Sequence, residues 1–307
     1  MKRPSPYLLL ILATLLWGGN FVIGRAVANN VPPYTLSLLR WCTAFLVFYP
    51  FVRKNLQTDW LIIKRYWKIV IVMAVTGIAG FNTLVYISLH YTTSINASLV
   101  NSSTPIIIFM LSFVFFKERL HRNQLIGTLT SLFGVLFILS KGDWTNLMSF
   151  SFNQGDLLVV AAVFFWGVYS VLVKQYANKL PGYSTFFVAI GLGLIVLFPF
   201  SLVELLIYKE TVNWNITSIS AIAYIGIFAS IVAFTSWNTA VAAIGANKAG
   251  IFLNFIPVFA SLFAIMFLGE TMTSYQMIGG LFVVLGVYLS TKVPKKAHLV
   301  SRKNAVS

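Results

Sequence analysis

Asn82, Tyr86 and His90 recur every four residues in an otherwise apolar stretch, which sets an amide, a phenol and an imidazole along one drifting face of a helix. A second polar run, Asn101 to Thr104, leads into Pro105, and a related run containing Asn254 leads into Pro257. Proline removes an amide donor and crowds the preceding turn, so a carbonyl near Asn101 and another near Leu253 lose their usual partners. Trp17 and Trp166 each precede a glycine, Asn20 follows Trp17 by one turn, and Tyr169 and Ser170 hold the corresponding places after Trp166. Asn238 occupies the position that matches Tyr86 on a later helix. These groups form hydrogen bonds and stack on flat or apolar molecules. The chemistry on offer is recognition, with Trp17, Asn20, Asn82, Tyr86, Asn101, Trp166, Tyr169, Asn238 and Asn254 as candidate lining of a pathway. Pro105 and Pro257 are its candidate hinges.

Bond-making machinery is missing from the pattern. Of the seven acidic residues only Glu204 falls inside an apolar stretch, and it lies near one end. A paired-carboxylate protease, an activated serine, a metal cluster or a phosphate-cradling Gly-Lys-Ser/Thr loop is not present as a motif. A membrane-embedded enzyme or a channel is therefore the weaker alternative, and no metal or cofactor is expected. The same scarcity of acids argues against a cation antiporter built on a carboxylate at the membrane midplane. Arg40 is the one basic group well inside an apolar stretch. It reads either as a structural anchor or as an attractor for anionic groups.

The elements that must position these residues are membrane helices. With 58% hydrophobic and 9% charged residues in 307, the chain carries more apolar surface than water could cover. Ten stretches are long enough to cross a hydrocarbon core of about 30 Å as helices. They lie near 7–27, 33–52, 68–90, 94–116, 123–140, 156–177, 183–208, 218–243, 247–268 and 274–292. The segments are continuously apolar, so strands are not expected. The net charge of +15 follows the positive-inside rule: with the amino terminus inside, seventeen Lys and Arg fall on inner segments and three on outer ones. The basic residues thus need no nucleic-acid partner. Both termini are expected on the cytoplasmic side of the cell membrane, with the lipid bilayer as the surrounding medium.

The sequence also repeats. Shifting Ala97–Gly134 forward by 152 residues superimposes Ala97, Pro105, Phe115, Glu118, Gln124, Gly127 and Gly134 on Ala249, Pro257, Phe267, Glu270, Gln276, Gly279 and Gly286. An offset of 149 brings Trp17, Gly18, Ala28, Asn29 and Pro32 onto Trp166, Gly167, Ala177, Asn178 and Pro181. Equivalent loops differ in charge, Lys117–Arg122 being basic and 269–274 carrying no Lys or Arg. Five spans per copy and a reversed charge bias predict two repeats of opposite orientation. The expected division is 1–145, 146–292 and a basic tail at 293–307.

Leu16-Trp17-Gly18-Gly19-Asn20-Phe21, Leu39-Arg40-Trp41, and the paired Ala-to-Pro-to-Glu runs ending at Glu118 and Glu270 resemble the EamA-type branch of the drug/metabolite transporter superfamily. The resemblance covers nearly the whole chain. It implies an all-α integral membrane protein of ten helices in two inverted five-helix repeats around a central cavity. It further implies export or exchange of small metabolites such as amino acids, with drug or other metabolite efflux as the alternative cargo.

Overall fold

The computed structural model describes residues 4–92, 97, 100–118, 121–140, 142, 143, 145–148, 153–268 and 273–292. Asn96, Ser98, Arg119, Gly269, Glu270 and the tail 293–307 lie outside the described residues. Within them the chain is helical and contains no strand. The longer helices among the described residues are α1 (Pro6–Ala26), α2 (Pro33–Arg65), α3 (Trp67–Tyr91), α4 (Thr104–Phe116), α5 (Arg122–Leu139), α6 (Gln154–Tyr176), α7 (Gly182–Ile207), α8 (Ile216–Ile244), α9 over 246–268 and α10 (Ser274–Thr291), and a single helical turn, Thr145–Met148, lies between α5 and α6. Among the described residues seven segments, those of α1, α2, α3, α6, α7, α8 and Ala246–Phe263 of α9, are long and apolar enough to cross a membrane. The outward faces carry bare apolar side chains such as Leu8, Phe51, Ile195 and Leu281. That surface suits lipid and not water.

Local chemistry sets the helix ends. Pro6 and Pro33 open α1 and α2, where a missing amide hydrogen removes nothing the helix needs. Reciprocal side-chain caps start α5, through His121 and Gln124, and α6, through Asn153 and Asp156. Asn215 accepts the Ser218 amide hydrogen at 2.8 Å to start α8. Gly245, at φ 92°, is the single residue between Ile244 and Ala246, so α8 turns directly into α9. Only glycine takes that backbone angle without strain.

Helix α2 runs on to Arg65, well past the end at 52 predicted from hydropathy. Its 33 residues span about 50 Å at 1.5 Å each, more than the hydrocarbon thickness. Hydropathy marks where lipid ends, and residues such as Arg53, Lys54, Leu56 and Gln57 sustain a helix beyond that point.

Besides the π turn Val203–Ile207 that ends α7 and the 3-10 turn in α9, helices α3 and α8 depart from regular winding at matched places. Ala74–Gly80 in α3 and Ile225–Val232 in α8 are π-helical, and their first residues are 151 apart. Such a turn disturbs the regular carbonyl ladder, and indole donors meet carbonyls in both. Trp41 donates to the Ile78 carbonyl at 2.9 Å and Trp17 to the Ala229 carbonyl at 3.0 Å.

Glycines let helices approach. A Cβ on Gly127 would stand 2.4 Å from the Gly286 carbonyl oxygen, and one on Gly134 would stand 2.5 Å from that of Gly279. The order of these contacts makes α5 and α10 antiparallel. Gly18 packs against Phe259 of α9 and Gly167 against Ile107 and Leu111 of α4. The glycines of the two Trp-Gly pairs thus serve close packing, each against a helix from the other half of the chain.

Candidate functional site

Five of the sequence-predicted residues meet around one internal cavity of about 20 Å³. Trp17, Asn20 and Phe21 come from α1, Phe81 and Asn82 from α3, Asn101 from the turn before α4, Trp166 from α6, and Leu253 and Ile256 from α9. A space of that size admits roughly one water-sized group. Trp17 and Trp166 stand edge to face at 5.1 Å, and Phe81 lies 4.9 Å from Trp166. Behind them Phe234 packs against Trp17, Trp166 and Trp41. These rings exclude water and hold the polar groups in fixed places.

Arg40 organises the polar side of the site. Its side chain is fully buried, and its three hydrogen bonds go to uncharged partners. Nε donates to Ser230 Oγ at 2.9 Å, and Nη1 donates to Asn82 Oδ1 at 2.8 Å and to Tyr86 Oη at 2.6 Å. Tyr86 in turn donates to Asn20 Oδ1 at 3.0 Å. Because a guanidinium has no acceptor, it sets the sense of every bond downstream. The oxygen ends of Asn82 and Asn20 are thereby committed, and their NH₂ groups are what remains. Arg40 Nη2, Asn82 Nδ2 and the indole nitrogens of Trp166 and Trp237 are buried without a hydrogen-bond partner. An unmet buried group costs about 1–3 kcal/mol, more when charged.

The other expected residues lie elsewhere. Tyr169 packs against Trp166 at 5.3 Å and exchanges hydrogen bonds with Asn238, Oη donating to Oδ1 at 3.0 Å and Nδ2 donating to Oη at 2.8 Å. These are alternative descriptions of one close pair, since the phenol can donate or accept. Asn254 points away from the cavity and donates to Ser131 Oγ of α5 at 3.0 Å. Pro105 is the second residue of α4, and the Thr104 hydroxyl donates to the Asn101 carbonyl. Pro257 follows the 3-10 turn Ile251–Asn254 in α9. Both prolines therefore stand just after a break in winding.

Sequence reasoning missed Ser230, Phe81 and Phe234. Ser230 had a signal, since it is a lone hydroxyl in the run Ile225–Phe234. The two phenylalanines had none, because a phenylalanine is an ordinary residue of an apolar span.

A second cavity, about 680 Å³, opens at the end of the bundle between the α1–α2 turn and the ends of α3 and α7. Asn29, Tyr34, His90, Tyr91, Glu204 and Glu210 line it. Glu204 accepts the amide hydrogens of Tyr34 and Thr35 at 3.1 and 2.8 Å and the Thr35 hydroxyl at 2.8 Å, closing the N-terminus of α2. Asp156 accepts the Thr92 hydroxyl at 2.7 Å while capping α6. Both buried acids thus serve helix ends. Among the described residues no group of three or more His, Cys, Asp or Glu is placed to hold a metal ion.

A bundle of lipid-facing helices enclosing a polar, ring-walled cavity defines a multi-pass membrane protein. Its family follows from comparison: residues 4–140 and 153–292 both match the EamA-like transporter family, and the chain belongs to it. An uncharacterized transporter of Archaeoglobus fulgidus is 28% identical over 291 residues, covering 93% of this chain and 96% of its own. The uncharacterized transporter YyaM of Bacillus subtilis is 25% identical over 307 residues, covering 96% and 97%. A probable amino-acid metabolite efflux pump of Escherichia coli is 24% identical over 296 residues, covering 92% and 93%. A protein of known crystal structure shares the fold with a TM-score of 0.75 over 94% of this chain and 97% of its own, at 22% identity. These family and relative names all denote transporters.

Proposed function

We propose that the protein is a secondary transporter of the cell membrane that exports or exchanges amino acids and similar small metabolites by alternating access. Both termini face the cytoplasm, and ten helices form two inverted five-helix repeats. The observation that carries this reading is the convergence of Trp17, Asn20, Asn82, Asn101 and Trp166 on one internal cavity. These residues come from both halves of the duplicated sequence, as a site between two repeats requires.

Three further features support it. The antiparallel pairing of Gly127 with Gly286 and of Gly134 with Gly279 links each residue to the equivalent of the other. A dyad across the helix axes produces that pattern, and it reverses one repeat relative to the other. The π stretches of α3 and α8 repeat the relationship. The E. coli relative named as a probable amino-acid metabolite efflux pump supplies the cargo class. Substrate binding at the Trp17–Trp166 contact and rocking of the halves about the breaks before Pro105 and Pro257 would alternate access. Direction of net flux then follows the prevailing gradients. The helix-end duties of Glu204 and Asp156 favour transport without a carboxylate proton carrier.

Counterflow in proteoliposomes tests this. Vesicles preloaded with mixed amino acids should take up a labelled amino acid saturably, and Tyr86→Ala or Asn101→Ala should abolish the uptake in protein that still elutes as a single species. Absence of exchange with every amino acid removes the cargo assignment.

A further inference from the structure

Among the described residues the buried Arg40 has no acid as a hydrogen-bond partner, and that imbalance has a consequence for the ligand. Its bonds to Ser230, Asn82 and Tyr86 use three of five N–H groups and bring no negative charge. The guanidinium stays protonated in proteins, so the centre of the bundle carries a fixed positive charge. Arg40 Nη1 donates to Asn82 Oδ1 and to Tyr86, and Tyr86 passes the polarity on to Asn20 Oδ1. Asn82 and Asn20 both line the cavity, and with their oxygens engaged it is their NH₂ groups that stay uncommitted. Trp166, on the same wall, keeps an unpartnered indole N–H. A wall whose uncommitted groups at Asn82, Asn20 and Trp166 are donors, backed by a cation with no acid among its partners, complements an oxyanion.

We propose that the cavity recognises the carboxylate of its substrate, with Asn82, Asn20 and Trp166 as direct donors and Arg40 as the residue that orients them and supplies the counter-charge. This rests on the reading of the protein as a transporter. One guanidinium balances one negative charge, and the space near 20 Å³ admits a single oxygen-sized group, so the rest of the carboxylate and the ligand enters as the cavity widens in the transport cycle. A phosphate monoester, near two negative charges, is left unbalanced. The rings of Trp17, Phe21 and Phe81 then meet the apolar part of the ligand. The substrate class narrows to monocarboxylates, zwitterionic amino acids included. Amines and amides that lack the carboxylate are excluded.

Calorimetric titration of the protein in nanodiscs with two matched sets tests this. One set is leucine, 4-methylpentanoate, leucinamide and 3-methylbutylamine; the other is phenylalanine, 3-phenylpropionate, phenylalaninamide and phenethylamine; inorganic phosphate is the competitor. Carboxylate-bearing members of at least one set should bind saturably, and amidating or removing the carboxylate should weaken binding about tenfold or more. Asn82→Asp places a carboxylate against Nη1 and should erase the difference. Asn20→Asp serves the same purpose should Asn82→Asp fail to elute as a folded species. Arg40→Lys should keep the preference with weaker binding. Amide or amine affinities equal to those of the carboxylates, no binding by any carboxylate, or phosphate binding in preference overturns the proposal. Counterflow with the same compounds separates the two readings. Exchange that ignores the carboxylate leaves a transporter and removes this site, whereas carboxylate binding without any exchange leaves the site and removes the transporter.

Discussion

Trp17 and Trp166 hold equivalent places in the duplicated sequence and meet each other, ring centroids 5.1 Å apart and planes at 88°. Equivalent residues touch when they lie near the dyad that relates their halves. The rings are alike, but their hydrogen bonding differs: the Trp17 indole donates to the Ala229 carbonyl, while that of Trp166 is buried without a partner.

The two tryptophans should therefore respond differently to the same substitution. Trp17→Phe strands a carbonyl in the π stretch of α8 and should destabilise the protein by about 1–3 kcal/mol. Trp166→Phe removes an unmet donor and should leave the melting temperature unchanged or raised. Substrate binding should nonetheless fall in Trp166→Phe, as read by titration beside thermal unfolding in detergent. Equal melting temperatures for the two variants would contradict the hydrogen-bond assignment.

Adjacent glycines on α10 offer a sharper contrast. A Cβ at Gly279 would lie 2.6 Å from the Gly134 carbonyl oxygen and 2.5 Å from Ile138, whereas one at Gly280 meets nothing within 4 Å. Gly279→Ala should lower stability by about 1–3 kcal/mol through overpacking of the α5–α10 seam. Gly280→Ala should be neutral or raise stability by up to about 1 kcal/mol through helix propensity. Thermal unfolding of the two purified variants checks the sign of each.

Gly245→Ala forces a side chain onto a backbone at φ 92°, with only Lys174 Cε near the new methyl group. Space is not the obstacle here; backbone strain is. The expected loss is about 1 kcal/mol or more. Because the joint sets how α9 leaves α8, transport rate should fall along with melting temperature, measured by initial uptake at saturating substrate.

The same residues explain what the sequence made legible. Asn82, Tyr86 and Asn20 stood out because a polar group in an apolar helix is costly, and each occupies the network around Arg40. Asn254 stood out for the same reason, yet its partner is Ser131 in the α5–α10 seam. Polarity in a span signals a satisfied partner or a wet cavity, and sequence alone does not separate the two. The spacing that matched Trp17 to Trp166 located their contact, but periodicity could not foresee the π turns. Those shift the register by inserting backbone, and no residue type encodes the change. Arg40 was visible as a charge, whereas its lack of an acidic partner depends on helices far apart in the chain.

Tyr169 and Asn238 provide the last separation of pathway from packing. Tyr169 is fully buried beside Trp166, and among the described residues its hydroxyl and the Asn238 amide bond to each other, at 2.8 and 3.0 Å. Asn238→Leu should orphan the phenol and lower stability by about 1–3 kcal/mol. Tyr169→Phe should orphan the amide with a smaller effect, since Asn238 is only partly buried. In the double variant neither polar group remains, and stability should return to within about 1 kcal/mol of the parent. A pair that only joins α6 to α8 would recover transport with stability. Hydrogen-bonding groups on the substrate route cannot be replaced by apolar ones in this way, so uptake should remain depressed in the double variant while its melting curve matches the parent. Recovery of both would assign the pair to packing and move the α6–α8 wall of the pathway to Trp166 alone.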